Sequence, residues 1–257
     1  MAQSDLRGLF VWFDLMTTDK VGAQKFYTDV LGWGIQMWGN AYPMVTARDT
    51  AIGGINDLPN DARAAGAAPH WLAYVATDDV DGTAAKAEGL GATIMHPPTD
   101  IEYVGRFAVL ADPQGAVFAV FRSEDEGRPL RAPAIGEFSW FELATTDSAG
   151  AFAFYEALFG WKRSTEMDMG GDSRYRLFET PDGRFEIGGI FDMPPAVPAP
   201  NWLLYVRVED IDATSQRIVS GGGQVVNGPM EVPGGDRVAQ CLDPQGGSFA
   251  IHWRRSE

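Results

Sequence analysis

Two predicted strands of this chain carry an indole beside a carboxylate. Trp12 and Asp14 lie two residues apart, and Trp140 and Glu142 repeat that spacing in the second half. Side chains alternate between the faces of a strand, so each pair shares one face. A tryptophan ring attracts cations by roughly 0.5–2 kcal/mol. The pairs therefore predict a ligand site for a planar or cationic small molecule. The structural alternative is an indole that fills space and a carboxylate that reaches solvent or a backbone N–H.

Two tyrosines and two arginines also recur at matching positions. Tyr74 and Tyr205 alternate onto the same kind of face, and their hydroxyls could hydrogen-bond a ligand. The alternative is a half-buried ring with its hydroxyl in water. The sequence does not determine which strand face Arg106 and Arg237 occupy. An arginine near an acidic side chain would pair with it, whereas one in an apolar environment would bind a carboxylate or phosphate group of a ligand.

His252 occurs only in the second half, near the end of a predicted strand. With Asp14 and Glu142 it forms the set of candidate catalytic groups, either as acids and bases or as relocated metal ligands. The alternative is a packed or surface histidine. His70 and His96 are interpreted as polar loop residues at strand ends.

The sequence that positions these residues contains an internal repeat. The segment 10–19 returns as 138–147, and each copy runs on to a Phe-Tyr pair and a Gly-Trp. Each copy reads as a strand, a helix and three strands, followed by the same set again. The sequence thus predicts an α+β fold of four βαβββ units in two modules, 1–122 and 137–257, joined by a linker at 123–136.

The same short motifs occur at matching positions in both copies. Thr-Thr-Asp precedes the first helix, where the aspartate suits an N-cap. The strand motif Ile-Gly-Gly-Ile (52–55 and 187–190) predicts a close approach of backbones. Asp-Pro-Gln-Gly (112–115 and 243–246) fits a type I turn between the closing strands.

Composition limits the partners. The net charge of -15 argues against nucleic acid and against an anionic membrane surface. No apolar run approaches the ~18 residues of a membrane span, and the N-terminus lacks a signal-peptide pattern. The single cysteine, Cys241, excludes an internal disulfide and is expected to be a buried apolar residue. We expect a cytoplasmic protein, as a monomer or a homodimer.

The repeated motifs, taken together, resemble those of the vicinal oxygen chelate superfamily, which includes glyoxalase I, bleomycin-resistance proteins, fosfomycin-resistance enzymes and extradiol dioxygenases. The resemblance covers essentially the whole chain. It implies that each pair of βαβββ units curves into a mixed-sheet cup with its helices outside. In metal-using members, His and Glu ligands lie on the cup-facing side of the strands.

The resemblance also implies where those ligands would lie. The three positions are occupied here by Trp12, Leu72 and Ala119 in the first copy. In the second copy they are Trp140, Leu203 and Ala250. None of these side chains can donate a lone pair to a divalent ion. The sequence therefore predicts no metal or other cofactor, with one divalent ion held by relocated ligands as the alternative.

Three functions stay open. The first is a bleomycin-resistance-like protein that binds a small molecule in aromatic cups without a metal. The second is a lyase, isomerase or dioxygenase-like enzyme that uses the relocated groups. The third is an interaction module whose cups are filled by side chains. The sequence does not specify the ligand, the reaction or whether both cups are used.

Overall fold

The computed structural model describes residues 6–39, 42–125, 131–170, 174–195 and 197–255. Residues 126–130 of the predicted linker lie outside this set. Within the described residues, every helix is too short or too polar to cross a bilayer.

Residues of the first copy form one eight-stranded sheet. Its strands follow the order β2-β3-β4-β1-β5-β8-β7-β6. The elements are β1 Phe10–Thr17, α1 Lys20–Leu31, β2 Gly34–Trp38, β3 Tyr42–Ala47, β4 Thr50–Asp57, α2 Asn60–Ala64, β5 His70–Ala76, α3 Val80–Gly89, β6 Thr93–Ile101, β7 Gly105–Ala111 and β8 Val117–Ser123.

The second copy repeats this topology in a second sheet, in the order β10-β11-β12-β9-β13-β16-β15-β14. Its elements are β9 Phe138–Thr145, α4 Ser148–Phe159, β10 Lys162–Asp168, β11 Arg174–Glu179, β12 Glu186–Asp192, β13 Asn201–Arg207, α5 Ile211–Ser220, β14 Gln224–Glu231, β15 Arg237–Leu242 and β16 Ser248–Trp253. Both sheets are mixed, curved and open. The predicted α+β fold of four βαβββ units is confirmed.

The cap and turn motifs act as predicted. Asp19 accepts a hydrogen bond from the backbone N–H of Gly22, and Gly32 ends α1 with a positive φ of 70°. Helix α4 repeats both features. In each Asp-Pro-Gln-Gly turn, the glycine N–H donates to the aspartate carbonyl, at 2.9 Å in the first and 3.0 Å in the second. Helix α2 was not predicted, and the described residues of the second copy contain no counterpart of it.

The two compact units of the chain do not coincide with its two hydrogen-bonded sheets. One compact unit comprises Met1–Trp12, Ala73–Arg131 and Phe141–Trp202, and is called unit 1 here. The other, unit 2, comprises Phe13–Leu72, Ala132–Trp140 and Leu203–Glu257. Each unit therefore joins the first βαβββ half of one copy to the second half of the other.

The core of unit 2 is organised around one buried tyrosine. Tyr27 Oη donates to Asp243 Oδ2 at 3.0 Å and accepts from Trp71 Nε1 at 3.1 Å. The ring of Tyr27 stacks on Trp33, with centroids 5.3 Å apart. Asp243 belongs to the Asp-Pro-Gln-Gly turn, so this turn is tied to a helix of the other copy.

Unit 1 contains the same cluster with the copies exchanged. Tyr155 Oη donates to Asp112 Oδ2 at 3.0 Å and accepts from Trp202 Nε1 at 3.2 Å. Trp161 stacks on Tyr155 at 5.1 Å. The four tryptophans of these two clusters are all buried, and Cys241 is buried as predicted.

Candidate functional site

Each predicted carboxylate is held by a tyrosine. In unit 2, Tyr42 on β3 donates its hydroxyl to Asp14 Oδ1 at 2.5 Å. In unit 1, Tyr175 on β11 donates to Glu142 Oε1 at 2.9 Å. Asp14 is buried, with 6% of its surface exposed, and Glu142 is half-buried. A charge-assisted hydrogen bond of this kind fixes the orientation of the carboxylate.

The second glycine of each Gly-Gly motif makes room for that tyrosine. A Cβ added to Gly54 would lie 2.2 Å from Tyr42 Oη, and one added to Gly189 would lie 2.1 Å from the ring of Tyr175. The glycine lets the ring cross the strand to the carboxylate. Sequence reasoning missed these tyrosines, although their recurrence shortly before the repeated glycines was an available signal.

Tyr74 lies in an aromatic cluster of unit 1. It is 7% exposed, and its ring centroid lies 6.3 Å from that of Phe107 and 6.4 Å from that of Phe121. His96 stacks on Phe107 with centroids 5.1 Å apart and an interplanar angle of 10°. The interpretation of His96 as a loop residue was wrong, because it lies inside β6, where its ring packs against the neighbouring strand.

The matching region of unit 2 is polar. Tyr205 is 3% exposed, and its hydroxyl accepts a hydrogen bond from Gln240 Nε2 at 3.3 Å. His252 Nδ1 lies 2.9 Å from Ser139 Oγ, and His252 Nε2 lies 2.9 Å from Asp236 Oδ2. Sequence reasoning selected His252 but neither of its partners, because they lie far from it along the chain.

The arginines, whose faces the sequence left open, pair with the first turns of two helices. Arg106 Nε donates to Asp81 Oδ2 at 2.7 Å, and Arg237 Nη1 donates to Asp212 Oδ2 at 2.7 Å. The hydrogen bond from Arg106 lowers the pKa of Asp81, and that from Arg237 lowers the pKa of Asp212. Both arginines therefore tie a strand to a helix.

The positions implied for metal ligands do not fit a divalent ion. Trp12 and Trp140 are half-buried, while Leu72 is 4% exposed and Ala119 is fully buried. Neither indole nor aliphatic side chains supply the nitrogen or oxygen lone pairs that such an ion needs. Within the described ranges, there is no group of three or more His, Cys, Asp or Glu side chains that could hold a metal.

A cleft of about 320 Å³ in unit 1 lies away from these residues. It runs beside the end of α4 and the start of α3, and its walls include Leu158, Phe159, Thr83 and Pro181. The lining includes none of the predicted site residues. The cleft is therefore separate from the candidate site.

Comparison with known proteins gives a consistent result. The model of the Glyoxalase/Bleomycin resistance protein/Dioxygenase superfamily matches residues 10–120 and 137–251. A Mycobacterium tuberculosis protein named as a candidate glyoxylase, CFP32, is 35% identical over 246 residues, covering 93% of this chain and 92% of the relative. The anthracycline biosynthesis protein DauV of Streptomyces is 31% identical over 270 residues, covering 95% and 92%.

Solved structures share the fold at low sequence identity. A Mn(II)-bound glyoxalase from Novosphingobium aromaticivorans has a TM-score of 0.67 at 16% identity, covering 96% of this chain and 82% of its own. An extradiol ring-cleaving dioxygenase from B. fuscum has a TM-score of 0.69 at 17% identity, covering 99% and 73%. At such identities the likeness concerns the fold alone.

Proposed function

Because the chain belongs to the Glyoxalase/Bleomycin resistance protein/Dioxygenase superfamily, we propose that it binds a planar small molecule on the concave faces of its sheets without the usual metal ion of that superfamily. One observation carries the proposal. A carboxylate–tyrosine hydrogen bond that packs against a glycine occurs at matching positions in both copies. A tryptophan lies two residues before each carboxylate.

Each part of the arrangement has a role in the proposal. Trp12 and Trp140 offer stacking surfaces, while Asp14 and Glu142 supply negative charge for a cationic substituent. Tyr74 and Tyr205 lie on matching strands, and their side chains contribute the aromatic lining. The carboxylates are already oriented by hydrogen bonds, so less ordering is needed when a ligand binds.

The relatives suggest a ligand class to test. Two of them, DauV and DnrV, are named as anthracycline biosynthesis proteins. An anthracycline glycoside with an amino sugar combines a planar aromatic ring system with a cationic group, and its aglycone keeps the planar ring system without that charge. We propose the anthracycline type of fused aromatic polyketide as the ligand class.

Fluorescence titration with both molecules tests the proposal. We expect the glycoside and the aglycone to bind, and Trp12→Ala or Trp140→Ala to weaken the binding about 2- to 30-fold, which corresponds to ~0.5–2 kcal/mol. Asp14→Asn and Glu142→Gln should weaken binding of the glycoside more than binding of the aglycone. Tyr103→Ala, which removes a ring that is 78% exposed, is the control and should change neither affinity. Failure of both molecules to bind would contradict the proposed ligand class.

The metal-free part of the proposal needs its own measurement. We expect elemental analysis of protein purified without chelators to show less than stoichiometric zinc, nickel, manganese and iron, because the implied ligand positions lack donor atoms. The alternative is a glyoxalase-type lyase or isomerase that uses Asp14, Glu142 or His252, with or without a divalent ion. One tightly held metal ion per chain, lost on substitution of those residues, would favour this alternative.

A further inference from the structure

A continuous hydrogen-bonded chain of three functional groups lies in unit 2. Ser139 Oγ is 2.9 Å from His252 Nδ1, and His252 Nε2 is 2.9 Å from Asp236 Oδ2. The remaining oxygen of Asp236 accepts the backbone N–H of Arg255 at 3.0 Å, which fixes the carboxylate. Ser139 is half-buried, and the His252 and Asp236 side chains are 13% and 28% exposed. The chain is therefore ordered and still open to solvent.

The first copy shows that the fold does not require this chain of groups. At the positions of Ser139, His252 and Asp236, the repeat has the apolar residues Val11, Phe121 and Gly105. The first sheet nevertheless has the same strand order as the second. At these positions all three polar residues are thus confined to the second copy, and the shared strand order does not depend on them.

The order of the groups is that of an activated nucleophile. The single hydroxyl hydrogen of Ser139 has two acceptors within reach, His252 Nδ1 at 2.9 Å and the carbonyl oxygen of Tyr205 at 3.3 Å. When Nε2 carries its hydrogen toward Asp236, the lone pair of the nearer acceptor, Nδ1, faces the hydroxyl and can accept its proton. An imidazole can serve as the base through either nitrogen, provided that the carboxylate holds the other. We propose that Ser139 is a nucleophile for acyl transfer from small esters, with His252 as its base and Asp236 as a positioning residue. This inference is independent of the proposed ligand.

The step balances without any cofactor. Ser139 Oγ attacks the carbonyl carbon of the ester, and its proton passes to His252 Nδ1. The bond from carbon to the leaving oxygen breaks, and that oxygen takes the proton from Nδ1 as the alcohol departs. Water, deprotonated by the same nitrogen, then releases the acyl group as a carboxylic acid and restores the Ser139 hydroxyl.

A fluorophosphonate probe tests the nucleophile directly, because the serine oxygen displaces fluoride and stays bonded to phosphorus. We expect one adduct per chain, located on Ser139 by peptide mass spectrometry. Ser139→Val, the residue of the first copy, should abolish the adduct. His252→Phe should slow labelling by about 100-fold or more, as expected for the loss of a general base.

Four further variants separate catalysis from structure. Added imidazole should restore part of the labelling rate of His252→Ala, a rescue that a structural role would not produce. Asp236→Asn should slow labelling, and Asp236→Glu, which keeps the carboxylate, should recover part of the rate. Ser248→Ala, on the same strand as His252, is the control and should label normally. Folded wild-type protein that stays unlabelled at Ser139, or labelling that His252→Phe leaves unchanged, would overturn the proposal.

Discussion

Gly53→Ala is expected to lower the free energy of unfolding by about 3 kcal/mol, at the upper end of the usual cost of overpacking. A Cβ on Gly53 would lie 1.8 Å from the carbonyl oxygen of Phe13. These two residues are register partners in the parallel pairing of β1 with β4. The clash is with backbone, so relief requires the strands to separate. Urea denaturation at neutral pH measures the change.

The second copy supplies a replicate, and neighbouring glycines supply the controls. Gly188→Ala should behave like Gly53→Ala, because its Cβ would lie 2.0 Å from Phe141 O. The atoms nearest to a Cβ on Gly54 belong to the side chains of Tyr42 and Asp14, so Gly54→Ala should cost less and act mainly on their hydrogen bond. Gly89→Ala in α3 meets nothing within 4 Å and should stabilise by about 0.5–1 kcal/mol. Equal costs at Gly53 and Gly54 would contradict the backbone argument.

Local patterns predicted the elements because the causes of those elements are local. Asp19 caps α1 through a residue three positions away, and Gly32 ends the helix through its own backbone. The Gly-Gly strands were expected to approach another backbone, and Gly53 does so. Such features need no knowledge of the tertiary fold, and the internal repeat marked them twice.

The candidate site was only partly predictable because its contacts are remote. Ser139 and His252 are separated by 113 positions, and no periodic pattern links them. Strict alternation also fails in β9, where Ser139 and Trp140 are both half-buried between the buried Phe138 and Phe141. Alternation counted back from Glu142 selects Trp140 and passes over Ser139, which hydrogen-bonds His252.

The exchange of halves between the copies was not predictable for the same reason. Tyr27 and Asp243 are 216 positions apart, and each has an equally plausible partner within its own copy. The Asp-Pro-Gln-Gly motif predicted a turn but not the aromatic cluster that its aspartate joins. A repeat reveals which residues matter in both copies, whereas the pairing of one copy with the other depends on how the faces fit.

Asp243→Ala is expected to lower the free energy of unfolding by about 3–5 kcal/mol. Asp243 is 3% exposed and accepts hydrogen bonds from Tyr27 Oη and from the backbone N–H groups of Gln245 and Gly247. Loss of the carboxylate leaves three hydrogen-bond donors without their acceptor. Each donor that stays buried lowers the free energy of unfolding by ~1–3 kcal/mol. Asp112→Ala should give a similar loss in unit 1. Tyr27→Phe removes a single hydroxyl and should cost less.

The same carboxyl gives the stability a defined pH dependence. Burial raises the pKa of Asp243 above its usual value. The folded state therefore holds the proton more tightly than the unfolded chain, in which an aspartate titrates near ~3.9. The contribution of this group is largest below that value and is lost as the pH rises through the raised folded pKa. Asparagine does not titrate, so the stability of the wild type relative to Asp243→Asn should fall as the pH rises from about 4 towards neutral. Urea denaturation of both proteins across this range checks the direction, and a difference that grows with pH would show that hydrogen bonding to the carboxylate outweighs its burial.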